Sequence, residues 1–184
     1  MSQNSGIMTA NKLSRKEFLD KVEKTAQECE REVHGCGRCT LKSLMEHFGL
    51  GDESSKDLAL KAIMPLSGGI AQTRNTCGAV LGGLMAIGMV FFQGRLQDAT
   101  TEDLFAAMAM GRKYYRSFER EMGHSRCFDI REAGLGRCFD GVDPVEYDKF
   151  IEAGGYDLCG RVAGKAARIA AEFILEMQES RNAS

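Results

Sequence analysis

The chain has 184 residues, a formal net charge of −2, 43% hydrophobic and 27% charged residues. That length and balance suit one globular domain with a real core. The near-neutral charge gives no electrostatic case for nucleic acid or anionic lipid.

Residues 1–13 are small and polar, and a disordered N-terminal segment is expected there. They lack a basic stretch followed by an apolar run, so no secretory signal is read and a cytoplasmic location is expected. Ser14 and Glu17 form a capping box, followed by Phe18, Val22, Ala26, Cys29 and Val33 on one helical face. Leu41, Leu44, Met45 and Phe48 mark a second helix that stops at Gly49 and Gly51. Ser54 to Met64 reads as a third, ending near Pro65. A loop from Leu66 to Arg74 then leads into the glycine-rich apolar stretch around Cys77.

From Asn75 to Gly94 there are 20 residues without a charge, roughly the span of a bilayer. The stretch holds five glycines and has no aromatic belt, so the expectation is a closely packed central helix and no membrane association. Thr100 to Asp103 starts a fifth helix, with Leu104, Phe105, Met108, Tyr115, Phe118 and Met122 as its apolar side and Gly123 as its end. Ser125 is read as the cap of a short helix carrying Cys127. Asp143-Pro144-Val145-Glu146 is a helix start, stopped at Gly154-Gly155. Asp157 is read as the cap of the last helix, with Val162, Ala166, Ile169, Ala170, Phe173 and Met177 inward. Nothing alternates as a strand would. The expected fold is all-α: one helical domain over residues 14–179, with a buried glycine-rich central helix and a disordered tail at 180–184.

Seven cysteines (29, 36, 39, 77, 127, 138 and 159) are an odd number. In a reducing compartment they are expected to be free, metal-bound or catalytic. Cys39, Cys77, Cys127 and Cys159 each fall at or within a turn of an expected helix start. There the helix dipole and unpaired N–H groups favour the reactive thiolate. Helices of one bundle can aim several such ends at one point, which could hold thiolates, an iron–sulfur cluster or a metal ion. The rival reading is that these are ordinary buried cysteines. Cys36-Gly37-Arg38-Cys39 is a single C-x-x-C pair without the second pair of a usual zinc site. It also lacks the βαβ setting of a thioredoxin and the following histidine of a haem attachment. His34 is read as a solvated loop residue, Cys29 as core and Cys138 as spare. Ser67-Gly68-Gly69 matches no phosphate-binding loop.

The order Cys39, Cys77-Gly78-Ala79-x-x-Gly82, Cys127, Cys159 resembles the redox-active C_GCAxxG_C_C family. The likeness extends over Cys39–Leu50, Leu66–Ile70, Ala79–Gly88 and Phe118-x4-Gly123-x3-Cys127, and covers about residues 36 to 177. One departure is that Thr76 precedes Cys77 where the pattern has glycine, and Gly78 follows it, so the spacing to Gly82 is one residue longer. The resemblance implies redox activity at the four matching cysteines. A related domain accompanies haem and an iron–sulfur centre in certain cytochromes, which favours a cluster. Three functions follow as expectations. The first is electron transfer to an unidentified partner, through a cluster or metal ion on Cys39, Cys77, Cys127 and Cys159. The second is cofactor-free thiol–disulfide exchange, with Cys36 and Cys39, or Cys77 and a partner, as catalytic thiols. The third is a structural or interaction protein with cysteines in its core.

Overall fold

A computed structural model describes residues 13–183. Except for Leu13, the expected N-terminal disordered segment lies outside the described residues. Eight α-helices follow one another: α1 (Arg15–Glu32), α2 (Cys36–Phe48), α3 (Glu53–Ile63), α4 (Gly78–Phe91), α5 (Thr101–Met122), α6 (Cys127–Leu135), α7 (Pro144–Glu152) and α8 (Gly155–Asn182). No strand is found among the described residues, and the fold is all-α as expected.

The helix starts follow their capping chemistry. Ser14 and Glu17 close a reciprocal box on α1, as do Thr100 and Asp103 on α5. Asp52 and Asp143 each accept an N–H from the third residue of their helix. Two expected caps are displaced. Ser125 caps nothing, because the N–H groups of Cys127 and Phe128 are taken by Asn75 and Arg74 carbonyls, at 2.7 and 3.0 Å. Its hydroxyl instead accepts from Tyr115 and donates to Glu119. Gly154, at φ 76°, is the N-cap of α8, so Asp157 lies inside the first turn and pairs with Arg31 at 2.9 Å. The far end of α8 runs to Asn182, into the expected tail, and Ser180 donates to the Glu176 carbonyl there.

The centre is built from α1, α2, α4 and α8, with α5 packed on α4 and α8, and α6 and α7 on α8. Two polar ties fix α2 in it: Ser43 donates to Val22 O of α1 at 2.7 Å, and Thr40 to Ala163 O of α8 at 3.3 Å. Small residues let α2 and α4 cross closely. A side chain on Gly37 would meet the Gly78 carbonyl at 2.8 Å, and one on Gly78 would meet the Leu66 carbonyl and the Cys36 sulfur, both at 2.9 Å. Gly78, Gly82 and Gly83 therefore serve helix packing. No helix among the described residues is long and apolar enough to cross a membrane.

The α5 face departs from expectation. Leu104, Phe105 and Met108 are exposed, and the buried residues are Met110, Tyr114 and Phe118. Only the second half of α5 is covered, and there the chain turns Tyr114 toward α4 and α8. Its ring fills the space beside Gly83, and its hydroxyl donates to Ala166 O at 3.4 Å. Val33, expected on the α1 apolar face, is also exposed.

Candidate functional site

Two backbone segments ahead of α4 and α6 pair antiparallel through Thr76 and Arg126. Cys77 N–H donates to Ser125 O at 2.9 Å, and Cys127 N–H donates to Asn75 O at 2.7 Å. Cys77 is the N-cap of α4 and Cys127 the first residue of α6, so this pairing joins the two helix starts. Cys36, the first residue of α2, and Cys159, in the second turn of α8, meet them. Cys36, Cys77, Cys127 and Cys159 together line one cavity of about 80 Å³, room for several water-sized guests.

Cys39 is not among the residues that line it. It lies one turn into α2, about 60° round the helix from Cys36, and is fully buried. Its thiol is directed to the His34 carbonyl at 3.6 Å and neighbours Cys29. The C-x-x-C pair is thus divided, with Cys36 beside Cys77 and Cys39 beside Cys29. Cys138 sits partly exposed near the Arg131 side chain, outside the cavity lining.

The helix-start argument for thiolates fails at all four cysteines it was made for, since Cys39, Cys77, Cys127 and Cys159 are all shifted up, and the lowered thiol of the cavity is Cys36. The Cys77 thiol beside Cys36 brings its pKa down to about 6, overcoming burial, with help from the Gly68 and Ala79 N–H groups and the Arg131 charge. Cys77 is correspondingly pushed well up, first by Cys36 and then by burial. Burial lifts Cys127 to about 11 and raises Cys159 further, although both face the Arg131 charge. Cys39 is also raised, by Cys29 first and burial second. Of the two neighbouring thiols, Cys36 is thus the one favoured as thiolate and Cys77 the one favoured as thiol.

The rest of the lining was not legible beforehand. Arg131, one turn after Cys127 on α6, is 6% exposed, and its guanidinium lies over the Phe150 ring at 4.4 Å. Its Nε and Nη1 are buried without a hydrogen-bond partner. Glu30 of α1, 3% exposed, has one carboxyl oxygen without a partner, and Gln72 has its amide oxygen in the same state. All three side chains line the cavity. Burial foremost, and then Cys36, push the Glu30 carboxyl up to about 9, so it is protonated at neutral pH. Tyr147 and Tyr156 close one side, their hydroxyls hydrogen-bonded at 2.5 Å, and Tyr156 stacks on His34 at 3.7 Å. His34 is therefore a stacked residue, not the solvated one expected. Its Nδ1 donates to the Glu30 carbonyl at 2.8 Å.

The remaining wall is backbone under strain. Gly68, Gly69, Ile70, Ala71 and Gln72 are all left-handed, at φ between 51° and 75°. Left-handed backbone costs a non-glycine residue about 1–2 kcal/mol. The turn is held by Ala71 N–H to Pro65 O at 2.7 Å, Arg74 N–H to Gly68 O and Asn75 N–H to Gly69 O. It places Ser67, Gly68 and Gln72 on the cavity. Strain of this kind persists where the surroundings over-determine it, commonly at working sites.

Among the described residues, no three His, Cys, Asp or Glu side chains converge closely enough to hold a single metal ion. The arrangement instead offers four thiols around a space, with Cys36 and Cys77 adjacent, together with a buried cation and unused donors. Thiols, a cation and free donors of this kind can meet an anionic group or exchange with one another. No curated protein and no solved structure matches the chain. Residues 34–173, which contain all four cavity cysteines, match the family described as putative redox-active protein (C_GCAxxG_C_C), and the chain belongs to that family.

Proposed function

We propose that the protein transfers electrons through an iron–sulfur cluster held by Cys36, Cys77, Cys127 and Cys159. In this reading Cys36 takes the place that the sequence reserved for Cys39. The observation that carries it is the cavity itself: thiols from four helices surround it, and Arg131 turns unpartnered N–H groups into it. A tetrahedral thiolate site for one ion needs metal–sulfur distances of about 2.3 Å, a convergence these residues do not have. A polynuclear cluster spans a larger body, and its thiolate-bound form is anionic, which suits the lone buried guanidinium. Such a cluster would accept and release single electrons. The chain's own part is to supply four thiolates from rigid helix starts, to offset their charge with Arg131, and to keep bulk water away with Tyr147, Phe150 and Tyr156.

The test is anaerobic purification followed by a visible spectrum and assays for iron and acid-labile sulfide. Broad charge-transfer absorbance with matching iron and sulfide is expected. Serine at position 36, 77, 127 or 159 should each cut the iron content at least tenfold, whereas Cys39→Ser should keep it. Colourless, iron-free protein, or loss of iron on Cys39→Ser alone, would overturn the assignment.

A second reading rests on the Cys36–Cys77 pair. The Cys36 thiolate attacks a disulfide of an oxidised partner, displacing one partner thiolate. Cys77, losing its proton, then attacks the Cys36 sulfur and releases the second, leaving a Cys36–Cys77 disulfide and a reduced dithiol. The lowered Cys36 pKa beside the raised Cys77 favours this order of attack. It requires thiol titration of metal-free protein to fall by two per chain on mild oxidation, with both losses mapping to Cys36 and Cys77.

A further inference from the structure

Arg131 is a buried cation that no carboxylate answers. It forms no ion pair among the described residues, and the buried acid of the cavity, Glu30, has a carboxyl oxygen without a partner and makes no ion pair with it. The Phe150 ring stacked on the guanidinium holds the side chain at the wall of the cavity that the four thiols line, with its Nε and Nη1 unpartnered there. Burying an isolated charge is costly unless an opposite charge meets it. The groups around Arg131 that can carry negative charge are sulfur: Cys127, Cys159, Cys138 and Cys36. Together they hold its pKa up against the lowering that burial alone would cause.

We propose that Arg131 is the positioning residue that sets the reduction potential of the cysteine centre, by stabilising the negative charge that the centre gains on reduction. The inference rests on the redox reading above but not on which form the centre takes. Adding an electron to a thiolate-bound cluster makes it more negative. Reducing a Cys36–Cys77 disulfide adds two electrons, and wherever fewer than two protons follow them the dithiol again carries more negative charge than the disulfide. In both cases a fixed guanidinium favours the reduced state, so its removal must lower the potential.

The experiment compares the full chain with Arg131→Met, Arg131→Gln, Arg131→Lys and Phe150→Leu. Anaerobic protein is titrated potentiometrically. Metal-free protein is equilibrated with dithiothreitol buffers, and Cys36 and Cys77 are read by alkylation and mass spectrometry. Arg131→Met should make reduction at least tenfold less favourable, a fall of about 60 mV for a one-electron centre or about 30 mV for the dithiol. Arg131→Lys keeps a compact charge without the planar fork and should fall about threefold, half as far in millivolts. Phe150→Leu removes packing but not charge, so it should lower the unfolding midpoint while keeping more of the potential than Arg131→Met. Should Arg131→Met fail to fold, Arg131→Gln, neutral but still able to donate hydrogen bonds, decides: a potential equal to the parent's overturns the proposal. So does an unchanged potential in folded Arg131→Met, and that result leaves the redox reading standing. A parent chain with neither an electron-accepting centre nor an oxidisable Cys36–Cys77 pair sinks both readings.

Discussion

Gly82→Ala is expected to lower the unfolding free energy by about 2–3 kcal/mol, the usual cost of overpacking a rigid interior. An added Cβ would press on the Gly37 carbonyl oxygen, and would stand 3.0 Å from the Thr40 Cβ and 3.1 Å from the Leu41 nitrogen. Two of these three are backbone atoms of α2, which cannot swing aside as a side-chain end can. The helix must therefore back away from α4. Cys36 opens α2 and Cys77 caps α4, so the same shift separates the two thiols. The variant should lose part of its redox centre as well as stability. Gly88→Ala is the control in the same helix. A Cβ there meets nothing within 4 Å, and replacing a mid-helix glycine stabilises by about 0.5–1 kcal/mol. Urea unfolding of the two variants should therefore differ by about 2.5–4 kcal/mol, summing the two effects. Equal midpoints would show that the α2–α4 crossing does not depend on the missing side chain.

That crossing marks how far the sequence could be read. Helix starts with local side-chain chemistry, Ser14 with Glu17, Thr100 with Asp103 and Asp143 with Pro144, were legible because cap and partner lie within four residues. Ser125 misled because its hydroxyl has two tertiary partners, Tyr115 and Glu119, and the α6 start is satisfied by a segment 50 residues earlier. The α5 face misled for a related reason. Leu104, Phe105 and Met108 keep a helical spacing, but burial depends on what lies opposite, and among the described residues no helix buries these three.

The cysteines show the same boundary. Their grouping was readable, and three of the four expected together do line one cavity. Which member of Cys36-Gly37-Arg38-Cys39 faces it was not. The choice turns on Gly37 seating α2 against α4, which swings Cys36 toward Cys77 and leaves Cys39 against Cys29. Arg131, Glu30 and Gln72 carried no local signal, since a charged residue on a helix is most often solvated. Nor does Ile70-Ala71-Gln72 announce a left-handed path, because these residues avoid it on their own and are forced into it by the turn they close.

Glu30→Gln is expected to stabilise the metal-free protein, by an amount that grows with pH. In the fold the carboxyl titrates at about 9, against an ordinary value of 4.5. A raised carboxyl means that the folded state binds more protons than the unfolded one between those values. Stability from this group is then full below about pH 4.5 and is lost progressively as pH rises toward about 9. At pH 7 the unfolded carboxyl is ionised while the folded one must hold its proton. At about 1.4 kcal/mol per unit that gap costs on the order of 3 kcal/mol. Glutamine keeps the shape and puts an amide NH2 where the protonated acid has its O–H, but has no proton to retain. Urea midpoints for parent and variant should nearly coincide near pH 4 and diverge in favour of the variant through pH 8. A fixed cost of seating the amide would displace both ends of this comparison equally and leave the slope intact. A difference that stays constant across the range would mean that Glu30 ionises freely in the fold. The cavity would then carry a carboxylate to meet Arg131, and the charge of the cysteine centre would no longer be the partner that the buried guanidinium requires.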